Sequence, residues 1–407
     1  MPRALKVLLW VLAAAAGVLA IGGAIVASRF DANSLKPLLV ERVQQDYQRT
    51  LAIPGEIRLA LFPRIGVTLG AVSLSAHASA EPFASLRSAR VSIALLPLLL
   101  RRQWVVDRVD LDGLRAAVTR YADGRTSIDD LLGAPSPASP GQAPAPAAAP
   151  VPFDVAGLSI TDAAVSVDDR ASGRRMALTK VELETGRLAP GRASETRFTG
   201  HLQASPPQVD ADLSLKADLM LDPAQHRYAF GKLQAELNGR LATLNDAKVA
   251  LGGDVDLTLQ PLALRLNGVT MALQGQAAQG RLAASADLPQ FEFGDGRITA
   301  RAIVAKAALE QGPRKLQAKL SLPAFSGPTR AIELPALDAE ASVDDGALHA
   351  QTRLSGAVDA DLDKLRFSSP QARLVLGGRQ GSTEIKGTLA SPWTADLEAK
   401  TLDKMAS

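Results

Sequence analysis

Cysteine is absent from all 407 residues, which excludes disulfides, thiolate metal sites and a cysteine nucleophile. Aromatic residues are scarce at 4%, although apolar residues reach 47%. The apolar content therefore rests on Ala, Leu and Val, which suits a sheet without the thick centre that Phe, Tyr and Trp give compact enzymes. Neither sign of charge dominates: 45 Lys+Arg face 42 Asp+Glu, spread along the chain without a basic stripe. That distribution argues against a nucleic-acid-binding surface.

Recognisable catalytic patterns are missing as well. His77, His201, His226 and His349 are far apart and none has ligand spacing to another, so they read as solvent-exposed side chains. Asp110-Leu111-Asp112-Gly113 resembles part of a calcium loop, but Thr119 stands where the bidentate Glu belongs. Asp129-Asp130, Asp168-Asp169 and Asp344-Asp345 read as acidic turns. No G-x-S-x-G elbow, P-loop or dinucleotide fingerprint is found. The expectation is a protein without catalytic residues, cofactor or metal.

One long apolar run is present. Between Arg3-Lys6 and Arg29, residues Val7 to Ala27 carry no charge, and as a helix they reach roughly 31 Å, enough for a bilayer core. Val7, Trp10, Leu12, Leu19, Ile21, Val26 and Ala27 are read as anchor residues, with Trp10 at the cytoplasmic interface. A cleaved signal peptide would have a shorter apolar stretch and a better cleavage site than Ile25-Val26-Ala27. An uncleaved single-pass anchor is therefore expected, with the N-terminus inside and the body translocated.

The body has its own divisions. Asp31 to Thr50 reads as a short helix, with Ser34 as N-cap, Pro37 in the first turn and Leu35, Leu38, Leu39 and Val43 on one face. That face packs on the first strands or lies along a membrane surface. Residues 52–133 alternate in the style of half-buried strands, as in Ile57-Arg58-Leu59-Ala60-Leu61. The short run Leu95-Leu96-Pro97-Leu98-Leu99-Leu100 reads as a buried bend. Residues 134–152 hold seven prolines among alanines without a charge, and form a semi-extended linker. From Phe153 onward alternation is nearly continuous, clearest from Val209 to Leu221. Turn signals such as Asp222-Pro223, Asn267-Gly268 and Asp344-Asp345-Gly346 punctuate it. No crossover helices intervene, so an antiparallel meander is expected. The units are thus 1–30 (tail and anchor), 31–133 (α+β block), 134–152 (linker) and 153–407 (β block).

An antiparallel sheet with one apolar face must cover it with a second sheet, with helices or with a ligand. The helices are not in the sequence. A closed sandwich and a curled sheet with an aliphatic inner face open to acyl chains both remain. For the second, Leu213, Leu215, Leu219, Leu221, Leu257, Leu259, Leu264 and Leu266 are the candidate lining.

Residues 1–133 resemble the AsmA family of bacterial envelope proteins. The resemblance rests on the N-terminal anchor and on several ordered blocks. These are Phe30-Asp31, Leu35-Lys36-Pro37-Leu38-Leu39, Thr50 to Gly55, Leu59 to Val67, Pro82-Phe83-Ala84-Ser85 before Ala89-Arg90-Val91, Leu95 to Leu99, Asp112-Gly113-Leu114, and Asp123-Gly124-Arg125-Thr126-Ser127-Ile128-Asp129-Asp130-Leu131-Leu132. It implies a mainly β, inner-membrane-anchored protein with an elongated periplasmic trough similar to bridge-like lipid-transfer proteins of the TamB type. Phospholipid and the membrane are then the implied partners, with other envelope proteins beside them. Lipid transport in outer-membrane biogenesis is the first functional reading. A non-transporting scaffold for outer-membrane protein or lipopolysaccharide assembly is the second, and an envelope hydrolase the weakest. Family members usually run longer after the β region that this chain carries.

Overall fold

The computed structural model describes residues 32–60, 65–93, 106–131, 154–398 and 401–404. The anchor residues Val7 to Ala27, the Leu95–Leu100 run and the Pro/Ala-rich stretch lie outside the described residues. Among the described residues no helix is long and apolar enough to cross a membrane.

The chain enters through a 3-10 turn, Ala32–Leu35, and helix α1, Lys36–Tyr47. Ser34 is not its cap: Leu35 holds that position in helical geometry, without a side-chain cap bond. Pro37 explains the shift, because its fixed φ and missing N–H suit the first helical turn. Gln48 closes the helix at φ 53°, its N–H donating to Gln44 O at 3.1 Å.

Contacts divide the chain into two compact units, 1–189 with 197–206, and 190–196 with 207–407. The first contains β1 (Leu51–Ala52), β2 (Ile57–Ala60), β3 (Ile65–Leu69), β4 (Val72–Ser75), β5 (Pro82–Leu86), β6 (Ser88–Ile93), β7 (Val106–Asp112), β8 (Arg115–Arg120), β9 (Leu158–Asp169) and β10 (Arg174–Thr185). Strand β11 (Ala193–Ser205) contributes residues to both units. In the first unit β2, β3, β6 and β7 pair in succession, as do β1, β4, β5 and β8, all antiparallel.

Strand β9 breaks the expected antiparallel rule. It runs parallel to β7, with Val109–Asp112 beside Leu158–Thr161, and parallel to β8, with Arg115–Arg120 beside Ala164–Asp169. Its other edge pairs antiparallel with β10. Parallel neighbours need a long connection, and the stretch of sequence between Arg120 and Leu158 is long enough to be one. Gly113, at φ +68°, forms the corner between β7 and β8. A Cβ there would meet Arg87 Cβ at 2.7 Å.

The second unit is a long-stranded antiparallel meander. Its strands are β12 (Val209–Asp222), β13 (Arg227–Leu241), β14 (Leu244–Leu259), β15 (Leu262–Ala277), β16 (Gly280–Gly294), β17 (Arg297–Ala300), β18 (Ile303–Gln311), β19 (Arg314–Leu322), β20 (Phe325–Pro328), β21 (Ile332–Asp344), β22 (Leu348–Asp361), β23 (Arg366–Gln380), β24 (Thr383–Asp396) and β25 (Thr401–Lys404). Strand β12 runs within one residue of the bounds that alternation predicts. Each of β12 to β16 pairs with the next. The first half of β16 then pairs with β18 and its second half with β17. From β18 the order continues through β19, β21, β22, β23, β24 and β25, while β20 pairs with β17.

Ile298, Ile332, Leu334, Val358 and Ala360 form a buried cluster in this unit, with Phe291, Phe293, Phe325, Phe367 and Trp393 packed against them; Ala211, Ala217, Leu233, Ala247 and Val269 are buried elsewhere along the strands. Much of the scarce aromatic content is thereby gathered at one end of the strands.

Candidate functional site

Register shows what the alternating residues build. Cross-strand partners share a face of a sheet. Leu215, Ala235, Leu251, Met271, Ala286, Ala305, Leu320, Ala339, Leu354, Leu374 and Leu389 are successive partners from β12 to β24. They make one unbroken apolar row across the strands. Two residues along, a second row runs Leu213, Leu237, Val249, Leu273, Ala284, Ala307, Ala318, Ala341, Thr352, Leu376 and Gly387. A third follows from Leu282 through Leu309, Leu316, Val343, Ala350 and Gly378 to Ile385.

None of these side chains is buried. Met271, Leu376, Ile385 and Leu389 are openly exposed, Leu389 at 55%. A sandwich interior would have brought such rows to full burial, so this face has no second sheet over it among the described residues. Thr352 is the one hydroxyl in the three rows, and its Oγ1 is shielded from solvent without a hydrogen-bond partner.

The opposite face is polar. One row there runs Ser214, Glu236, Ala250, Ala272, Ser285, Lys306, Lys319, Glu340, Arg353, Val375 and Thr388. Ion pairs lace it: Arg353 Nε to Asp338 Oδ1 at 2.9 Å, and Lys386 to Glu384 at 2.8 Å. The hydrogen bonds from Arg353 hold the Asp338 carboxyl below the usual carboxylate range. A hollow of about 810 Å³ opens over Lys306, Gln317, Lys319, Ser342, Gln351 and Arg353. The hollow also touches Leu273, Ala284, Ala307, Ala318, Ala341 and Thr352 of the second apolar row. The apolar rows form an open surface.

The eight leucines chosen from the sequence divide between two stretches of this surface. Leu213 and Leu215 stand in the rows above. Register shifts at Lys216/Asp218, Phe230/Leu233 and Gly252/Asp254 mark bulges crossing β12 to β14. Beyond them Leu219, Phe230, Val255, Leu266 and Phe291 are successive partners, as are Leu221, Tyr228, Leu257, Leu264 and Phe293. These two rows run into the aromatic cluster. Leu259 and Leu262 pair at the strand end, both exposed. None of the eight is buried. The Ala members of the rows, among them Ala235, Ala286 and Ala305, were not picked out from the sequence, because Ala alternation is a faint signal.

A second feature escaped the sequence. Arg49, 1% exposed, lies just after α1 and binds Asp130 through Nε and Nη2, each at 2.7 Å. It also donates to Ser75 O at 3.0 Å and Ser127 O at 2.6 Å, and its guanidinium stands 4.6 Å from the Phe83 ring centre. The hydrogen bonds from Arg49 push the Asp130 carboxyl below its ordinary value against the opposing effect of burial. Asp129 caps the same turn, accepting from Thr126 N at 2.8 Å and from its hydroxyl. The acidic turn Asp129-Asp130 is thus a structural clasp. Nearby, Arg87 and Arg115 share Asp162, at 2.8 and 2.9 Å. Among the described residues no group of three or more His, Asp or Glu could hold a metal ion.

Among known proteins, the model of the AsmA family matches residues 1–294. The chain belongs to the AsmA family. The match extends well beyond the blocks in residues 1–133 and takes in β9 to β16, where the apolar rows begin. The AsmA family is associated with the bacterial envelope. No curated protein and no solved structure matches the chain.

Proposed function

We propose that this AsmA-family protein handles phospholipid in the bacterial envelope, sheltering acyl chains against the apolar rows of its second unit without catalysing a reaction. The observation that carries the reading is the continuity of two apolar rows from β12 to β24 and of a third from β16 to β24, none of whose members is buried, although Ala211 and Ala247 farther along the same face are. At roughly 4.8 Å between strands, eleven strands give an apolar path of about 50 Å. Contiguous exposed apolar surface of that size marks an interaction or ligand site in a soluble body. Leu, Val and Ala offer hydrocarbon contact and no hydrogen-bonding demand, which suits mobile acyl chains. The charge-free run from Val7 to Ala27 supplies the inner-membrane anchor, and the body lies in the periplasm.

Photoreactive side chains test this directly. In the full chain within membranes, a crosslinker at Leu320 or Leu374 is expected to capture phospholipid. One at Gln317 or Lys306, on the polar face, is expected to capture at least about tenfold less. Replacing Leu215 and Leu374 together by Asp should remove the lipid adduct while the far-ultraviolet circular dichroism stays that of a sheet. Equal lipid labelling on both faces, or adducts with protein alone, would overturn the proposal.

One observation favours the scaffold reading. Strand β25 pairs only with Trp393–Asp396, so the outer edge of β24 from Thr383 to Pro392 has no strand partner among the described residues. An unpaired edge is a template for another chain. Protein-only adducts at Leu389 would support that alternative.

A further inference from the structure

Helix α1 presents its largest apolar side chains away from the body. Residues three and four apart share a helix face. Leu35, Leu38 and Leu39 are exposed, Leu38 at 65%, while Lys36, Val40 and Val43 on the adjoining face are half-buried, so Val43 is turned further inward than the leucines it was expected to accompany. The helix is fixed in this orientation. Asn33 Oδ1 accepts from Ile57 N at 3.0 Å at its start, and Tyr47 O is bonded to the His77 ring at 2.9 Å at its end. Burial on the first strands therefore accounts for the smaller valines and leaves the leucines unpartnered among the described residues.

The neighbouring sequence indicates what meets them. The charge-free run ends at Ala27, and Ala32 begins the described chain. Even fully extended, that stretch reaches about 18 Å. A chain that spans the bilayer up to Ala27 holds α1 beside the headgroups.

We infer that Leu35, Leu38 and Leu39 dock into the bilayer surface, so that α1 sets the first unit against the membrane instead of leaving it on a free tether. The inference rests on the anchor in the proposed function. Interfacial helices bury such a face just below the headgroups. Lys36 and Arg42 are offset by Glu41 and Asp46 on the same helix, with Arg42 paired to Asp46 at 2.8 Å. Docking is therefore driven by apolar contact and does not require anionic lipid.

The chain has no cysteine, so single reporters are simple to place. Full-length Leu38→Cys, Gln44→Cys and Leu19→Cys variants, each carrying an environment-sensitive fluorophore, are reconstituted in phosphatidylcholine vesicles containing brominated acyl chains. The probe at position 38 is expected to be quenched at least twofold more than the probe at 44, unchanged between low and high salt. Equal quenching at 38 and 44 would overturn the inference. So would protection from thiol reagents at 38 without bromine quenching, since the chain would then cover the leucines itself. The probe at 19 reports the anchor separately: quenching at 19 without quenching at 38 removes the docking and leaves the anchor in place.

Discussion

Arg49 shows how one side chain can hold an arrangement that local sequence does not announce. Its partner Asp130 is 81 residues away, and the clasp ties the end of α1 to the turn Ser127–Asp130. Replacing Arg49 by Ala leaves two buried carbonyls and a carboxylate without their donor. Loss of one partner from a buried pair costs about 3–5 kcal/mol, which urea unfolding should register. Arg49→Lys is expected to rescue little, because an ammonium cannot reproduce the two parallel bonds. Acid should act through the same pair. Asp130 titrates lower in the folded protein than in the unfolded chain. The clasp thus contributes its full stability above an unfolded value of about 3.9, and that stability is lost as pH falls through the folded value. Asp130→Asn, compared with the parent between pH 5 and 2, should show a flatter acid dependence. Thr352 behaves oppositely. Its hydroxyl is shielded and unpartnered, so Thr352→Val is expected to be neutral or stabilising by up to about 1 kcal/mol in thermal melts.

At the scale of elements, the strands differ in what holds them. Leu334 is 9% exposed inside the aromatic-rimmed cluster, and Leu334→Ala should cost about 2–4 kcal/mol. Leu389 stands in the same sheet with most of its surface in solvent, and Leu389→Ala should cost less than about 1 kcal/mol. Urea midpoints of the two variants distinguish an open face from a closed sandwich. Backbone proximity matters too. Gly280 sits at φ 144°, and a Cβ there would lie 2.0 Å from Glu310 O, so Gly280→Ala should cost about 1–3 kcal/mol by pushing β16 from β18.

The same elements show what alternation could and could not convey. The run from Val209 to Leu221 identified β12 almost residue for residue, because a half-buried strand repeats every second position. Ser34 looked like a helix cap, yet the proline at 37 moved the start. The parallel placement of β9 was illegible, because parallel and antiparallel strands share one period and a long connection permits either direction.

For the whole molecule, the open face governs behaviour in solution. Stripped of lipid by detergent exchange, the protein should self-associate, since exposed apolar area of this extent drives association. Light scattering is expected to rise on delipidation and to fall again when phospholipid is returned. Leu215→Asp with Leu374→Asp should abolish both changes.

The two units also differ in how they must be assembled. The meander from β12 to β16 grows by neighbours and can be laid down as the polypeptide arrives. The first unit cannot be finished that way. Strand β9 bridges the corner at Gly113, one half along β7 and the other along β8, as a splint is tied across a bend. Until residues 158–169 are present, β7 and β8 each keep a bare edge. A polypeptide stopped at residue 133 should therefore be soluble only with a chaperone's help, while one extended through Ser205 folds unaided.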